Sequence, residues 1–221
     1  VGLSMVMAMV LAFLIFEMAP TLLSNLFKAL TDNQVVLSAL EGVMKIAIFS
    51  GSPRKNGNSA FLATLLSEKI NNADVSFHYL MNYKINPCID CRLCKKGELI
   101  CPVKDDMQEL YQSLEAADLL VFATPIYWFA PTGIMKNFID RFRPYFANKK
   151  LAHKNAAVIL TAGSGKGDCD LTAEMFKRVF HALQIPCLGI VMSEAFDLHD
   201  AEKNQESLAE TEKLAHRVNL I

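Results

Sequence analysis

The sequence predicts an α/β protein built on a five-stranded parallel sheet, with helices packed on both faces to give three layers. Three observations predict it. Short, nearly continuous apolar runs recur after residue 43, as expected of strands buried on both sides. Stretches with apolar residues at helical spacing separate them, giving a β-α alternation. A loop of small, donor-bearing residues follows the first run, where open α/β sheets place their ligands.

Residues 1–43 stand apart. Their only charged residues are Glu17, Lys28, Asp32 and Glu41, and they open with the apolar run Val1–Phe16. That run falls short of the roughly 20 residues that span a bilayer. No basic region precedes it and no clean cleavage site follows, so a signal peptide fits poorly. A helical apolar extension outside the enzyme is expected here. It would touch a membrane only as the cut end of a membrane segment, and a start at Met44 would yield the whole domain, 44–221.

From Met44 the elements follow in order. Lys45–Phe49 is the first strand, and Phe61, Leu62, Leu65, Leu66 and Ile70 form the stripe of the first helix. Val75–Leu80 alternates through Ser76 and His78, which suits an edge strand. A cysteine-rich insert occupies 86–104. Asp105 is the expected N-cap of a second helix, with Gln108 behind it and Met107, Leu110, Tyr111 and Leu114 on its core face. Leu119–Ala123 is the third strand, and Met135, Phe138, Ile139 and Phe142 mark one further helix. Ala156–Leu160 and Leu188–Met192 are the last two strands, separated by a stripe from Met175 to Leu183. A more polar helix runs roughly from Asp200 to Val218. Strands that alternate with helices imply right-handed parallel crossovers.

Composition narrows the function. The 221 residues carry 22 basic and 23 acidic side chains, a net charge of −1, with no long block of one sign. Such a surface has no basic excess to collect phosphate backbones, so nucleic acid is not an expected partner. The five histidines show no ligand spacing, and no Ser/His/Asp constellation appears.

The first loop, Ser50-Gly51-Ser52-Pro53-Arg54-Lys55-Asn56-Gly57-Asn58-Ser59, joins a strand to a helix. Small residues let the backbone approach an anion, hydroxyls and amides donate, Arg54 offers a charged fork, and the helix N-terminus adds its dipole. The spacing is neither that of an ATP-binding P-loop nor that of a dinucleotide fold. Side-chain donors of this kind suit a terminal phosphate monoester, as in FMN. The plainer reading is a polar turn capped by Asn58 or Ser59.

Four of the six cysteines, Cys88, Cys91, Cys94 and Cys101, lie within fourteen residues, and Pro102 follows the last. Three thiols at intervals of three with a fourth nearby resemble ferredoxin ligation, although the last gap is longer. Sulfur-only ligation suits zinc equally well. Cys169 and Cys187 read as ordinary thiols.

With the first loop, three more segments in order resemble the NAD(P)H-dependent FMN reductase and iron–sulfur flavoprotein branch of the flavodoxin-like superfamily. The resemblance runs from Met44 to about Phe196. It implies sheet order 2-1-3-4-5, with the flavin phosphate held by Ser52, Arg54, Asn58 and Ser59 in the loop that opens at Ser50. Thr124-Pro125-Ile126-Tyr127-Trp128-Phe129 would lie against the isoalloxazine, placing Pro125, Ile126, Tyr127 and Trp128 at the cofactor. In Thr161-Ala162-Gly163-Ser164-Gly165-Lys166-Gly167, Gly163 would meet the flavin's far edge, with Lys166 a weaker candidate. The four cysteines would bind a four-iron, four-sulfur cluster, since a one-electron carrier beside a flavin makes functional sense.

The expected activity is therefore a cytoplasmic, typically dimeric oxidoreductase. Reduced nicotinamide would pass electrons through FMN to an acceptor, with no side-chain acid or base required. Two other readings are an electron carrier served only by protein partners and a membrane-tethered redox domain.

Overall fold

The computed structural model describes residues 42–221. The chain divides between Val43 and Met44, and Met44–Ile221 is treated by itself. The helical extension expected over 1–43, with its possible membrane contact, lies outside the described residues. Among those described, no helix is long and apolar enough to cross a membrane.

Five strands run parallel: β1 (Met44–Ser50), β2 (Ala73–Tyr79), β3 (Leu119–Tyr127), and, past a short strand β4 (Ala130–Pro131), β5 (Asn155–Ala162) and β6 (Cys187–Glu194). Their order is β2-β1-β3-β5-β6. The expected count of five is corrected to six, because β4 pairs antiparallel with the end of β3, Ile126 opposite Pro131 and Tyr127 opposite Ala130. The third strand does not stop at Ala123. It runs on to Tyr127, turns through Trp128 and Phe129, and doubles back.

Seven α-helices lie among the described residues: α1 (Asn58–Glu68), α2 (Met107–Ala116), α3 (Gly133–Asp140), α4 (Arg143–Asn148), α5 (Asp170–Leu183), α6 (Asp200–Lys203) and α7 (Gln205–Val218). Strand side chains alternate between two cores, as the pleat requires. Ala47, Phe49, Leu120, Phe122 and Val158 pack with α2, α3, α4 and α5. Ile46, Ile48, Val121, Ala157 and Ile159 pack with α1, α6 and α7. This gives the three layers.

Two single helices read from the sequence are each divided. The stripe Met135–Phe142 breaks at Arg141 and Phe142, and Pro144 opens α4 in its first turn, where its missing N–H costs nothing. The last helix breaks at Asn204, whose side chain caps α7 by accepting from the Ser207 amide at 3.1 Å. The cap position of α2 belongs to Asp106 and not to Asp105, although the Asp105 Oδ1 accepts from the Met107 amide at 3.2 Å.

Candidate active site

A cleft of about 220 Å³ opens at the carboxyl ends of β1, β3, β5 and β6. It lies where the strand order reverses around β1 and β3, the usual ligand position in such sheets. Ser52, Arg54, Asn58 and Ser59 of the first loop line it, with Pro125, Ile126 and Tyr127 from the end of β3 and Gly163 after β5. Three loops separated by long stretches of sequence thus meet in one space.

The first loop is shaped by its small residues. The Ser52 hydroxyl donates to the Arg54 carbonyl at 2.9 Å and accepts from the Arg54 amide at 3.1 Å. Ser50 is buried beneath, its Oγ accepting from the Ser52 amide at 3.4 Å. A Cβ on Gly57 would stand 2.8 Å from the Ser52 hydroxyl, so the turn closes only around glycine. Ser59 is fully buried and its Oγ has no hydrogen-bond partner. Buried hydroxyls normally have one, and an orphan in a cleft wall is a seat for a ligand acceptor. Arg54 is exposed at the mouth and enters none of the ion pairs among the described residues. These donors fit a phosphate monoester.

Asn58 is differently employed. Its Nδ2 donates to the Asp197 carbonyl at 2.8 Å and its Oδ1 accepts from the Ala201 amide at 3.2 Å. The side chain therefore ties α1 to the segment after β6, and the N-cap position of α1 falls to Gly57. Lys166 is also committed, paired with Glu206 at 2.6 Å and Glu210 at 3.2 Å. Trp128 stands outside the cleft lining, 91% exposed at the hairpin tip.

That hairpin is unusual. Trp128 and Phe129 both have left-handed backbones, φ 52° and 63°, in a two-residue loop that ordinarily takes Asn-Gly. Bulky residues held there store strain, which gathers at functional sites.

Two residues escaped the sequence reading. Thr132 donates to the Gly51 carbonyl at 2.7 Å and caps α3 by accepting from the Met135 amide at 3.4 Å. A threonine just ahead of an apolar stripe was the available signal. Phe196, 78% exposed, lines the cleft and packs on Gly163, where a Cβ would stand 2.7 Å from its ring.

Cys88, Cys91, Cys94 and Cys101 all line a second, small cleft beside Arg141 and Arg143. Cys94 is buried, Cys91 exposed, and the other two are intermediate. The donor set is four free thiols, which suits iron or zinc chemically. No group of three or more His, Cys, Asp or Glu side chains among the described residues is drawn close enough to hold a metal ion. Arg141 and Asp105 form an ion pair here, 2.7 Å apart and each 1% exposed. Burial alone would raise the Asp105 carboxyl. Hydrogen bonds from Arg141, Asn86 and Met107 outweigh it and hold the group below the usual carboxylate range.

Comparison with known proteins points to one family. The sequence pattern of the NADPH-dependent FMN reductase family matches residues 44–197. YwqN of Bacillus subtilis, provisionally named an NAD(P)H-dependent FMN-containing oxidoreductase, is 31% identical over 186 residues, covering 80% of this chain and 100% of that protein. An iron–sulfur flavoprotein of Archaeoglobus fulgidus is 32% identical over 179 residues, 79% of each chain. Among solved structures, an NAD(P)H:quinone oxidoreductase from Methanothermobacter marburgensis superposes with a TM-score of 0.65 at 15% identity, covering 80% of this chain and 96% of that one. At that identity the likeness concerns the fold.

Proposed function

The chain belongs to the NADPH-dependent FMN reductase family, and from that premise we propose how its residues serve an FMN-dependent NAD(P)H oxidoreductase. Bound FMN supplies the redox chemistry, accepting electrons from reduced nicotinamide and releasing them singly or as a pair. The protein binds and orients the reactants, and no side-chain acid or base is needed.

One observation carries the assignment of the site. The orphaned Ser59 hydroxyl lies in a cleft wall shared by the first loop, the end of β3 and Gly163. Ser52, Ser59 and Arg54 would receive the phosphate, with Ser50 buttressing the loop and Asn58 holding its far side. Pro125, Ile126 and Tyr127 would face the ring system, and Trp128 would reach it only from the hairpin tip. Gly163, with Phe196 packed on it, would meet the opposite edge. The functional domain would be 44–221, with 1–43 taking no part in the site, working as a homodimer in the cytoplasm.

The test is Arg54→Ala. A charge-assisted bond to phosphate is worth about 1.5–3 kcal/mol, so FMN affinity should fall at least about tenfold in equilibrium titration. Unchanged affinity would overturn the phosphate assignment. Steady-state oxidation of NADH or NADPH by the flavin-loaded protein separates an enzyme from an electron carrier served only by protein partners.

Within the same reading, Cys88, Cys91, Cys94 and Cys101 would hold a four-iron, four-sulfur cluster that relays single electrons between FMN and the acceptor. Two facts support it: the four thiols share one cleft, and iron–sulfur flavoproteins are among the relatives. Anaerobic reconstitution and metal analysis of wild type and Cys91→Ser decide between iron, zinc and free thiols. About four irons per chain, lost in the variant with FMN retained, is the expected result.

A further inference from the structure

The loop that carries the four thiols is closed at its base around the Arg141 side chain. Arg141 Nη1 donates to the Asn86 carbonyl at 2.9 Å and to Asp105 Oδ2 at 2.7 Å. Its Nη2 donates to Asp105 Oδ1 at 3.2 Å and to the Val103 carbonyl at 3.4 Å. Asn86 precedes Cys88 by two residues, and Val103 follows Cys101 by two. One guanidinium therefore grips both ends of the segment that contains every cysteine of the motif. The Asn86 amide, donating to Asp105 Oδ2 at 2.9 Å, completes the closure.

A guanidinium has five N–H donors, and these contacts use four. The fifth, on Nε, is buried and has no partner. An unsatisfied donor on a buried charge is costly and calls for an explanation. Arg141 lines the same cleft as Cys88, Cys91, Cys94 and Cys101, so sulfur is among the acceptor groups of that cleft. Hydrogen bonds to sulfur are a principal means by which a protein tunes an iron–sulfur centre.

We propose that Arg141 is the positioning residue of the cysteine site, clasping both ends of the 86–105 loop and supplying its last N–H to the sulfur held there. The proposal rests on the cluster reading for its ligand and on geometry alone for the clasp. Lysine cannot replace it, because an ammonium lacks the planar fork that reaches two carbonyls and a carboxylate together.

Arg141→Lys tests this with the charge retained, and Arg141→Gln with Asp105→Asn removes both buried charges in case the single change fails to fold. In anaerobically reconstituted protein, both variants should keep FMN and lose about ten- to a hundredfold in iron affinity. Any centre that still assembles should show a more negative reduction potential, since a donor to sulfur has been lost. Metal-free protein supplies a separate readout. With the clasp intact, the buried Cys94 is shielded, and Arg141→Lys should speed its maleimide labelling at least about tenfold, the effect of losing one charge-assisted bond. Wild type that takes up no iron on reconstitution, with Cys94 labelling still faster in Arg141→Lys, overturns the cluster and keeps the clasp. Unchanged labelling overturns the clasp, and unchanged iron affinity and potential overturn the donor to sulfur.

Discussion

The Thr132 hydroxyl donates to the Gly51 carbonyl across 81 residues of sequence, at 2.7 Å. The bond joins the phosphate-type loop after β1 to the first turn of α3. Gly51 has no room for anything larger, because a Cβ there would stand 2.8 Å from both the Thr132 hydroxyl and the Met135 Cβ. The cleft is thus held from outside its own lining.

Gly51→Ala should therefore destabilise the domain by about 1–3 kcal/mol, the usual cost of overpacking. FMN affinity should fall with it, because the loop must shift. Thermal unfolding of apoprotein together with flavin titration checks both. A variant as stable as wild type would mean that the loop yields freely.

Ser59→Ala separates folding from binding. The buried hydroxyl lacks a partner in the apoprotein, so its removal should be neutral or slightly stabilising there. With phosphate bound, the same change deletes a hydrogen bond worth about 1 kcal/mol, a loss of roughly fivefold in FMN affinity. Loss of apoprotein stability would show instead that the hydroxyl is satisfied within the protein.

His78 makes stability depend on pH. Its ring stacks on Phe49 with centroids 5.2 Å apart, Nδ1 lies 2.9 Å from the Tyr83 hydroxyl, and Nε2 is buried without a partner. Burial lowers its affinity for a proton, and the charge of Glu109 offsets this only in part. The unfolded chain therefore binds a proton more readily than the folded one. Stability should hold above the ordinary histidine value of about 6.5 and fall as pH drops from there toward the depressed folded value. Chemical denaturation across that window should show the decline, and His78→Phe should flatten it.

The sequence displays the sheet clearly because strands buried on both faces are written as unbroken apolar runs. The loop–strand–loop order of the cleft is legible for a similar reason, since each contributing segment is contiguous. Tertiary polar pairs leave no such mark. Asn58 reads as a cap or ligand from its neighbours, yet its partners are Asp197 and Ala201, some 140 residues on. Asp105 reads as a helix cap, whereas Arg141 claims it. Phe142 extends the apolar register of α3 although Pro144 already begins another helix.

The Trp128-Phe129 hairpin should respond to substitution in two opposite ways. Asn-Gly is the pair that a two-residue loop with positive φ at both positions prefers. The aromatic pair stays left-handed at a cost of about 1–3 kcal/mol per residue. Replacing both by Asn-Gly should raise stability by at least about 1 kcal/mol while preserving the pairing of Ile126 with Pro131. It also strips two exposed rings from the hairpin tip next to Tyr127, which lines the cleft with Phe196. If those rings stack on a flat reactant, kcat/KM for reduced nicotinamide or for an aromatic acceptor should drop about five- to tenfold, equivalent to roughly 1 kcal/mol of stacking. FMN affinity should change little, since the phosphate contacts are untouched. Greater stability with undiminished turnover would reduce the aromatic tip to a structural accident, whereas lost stability would show that the rings pack on the domain rather than strain it.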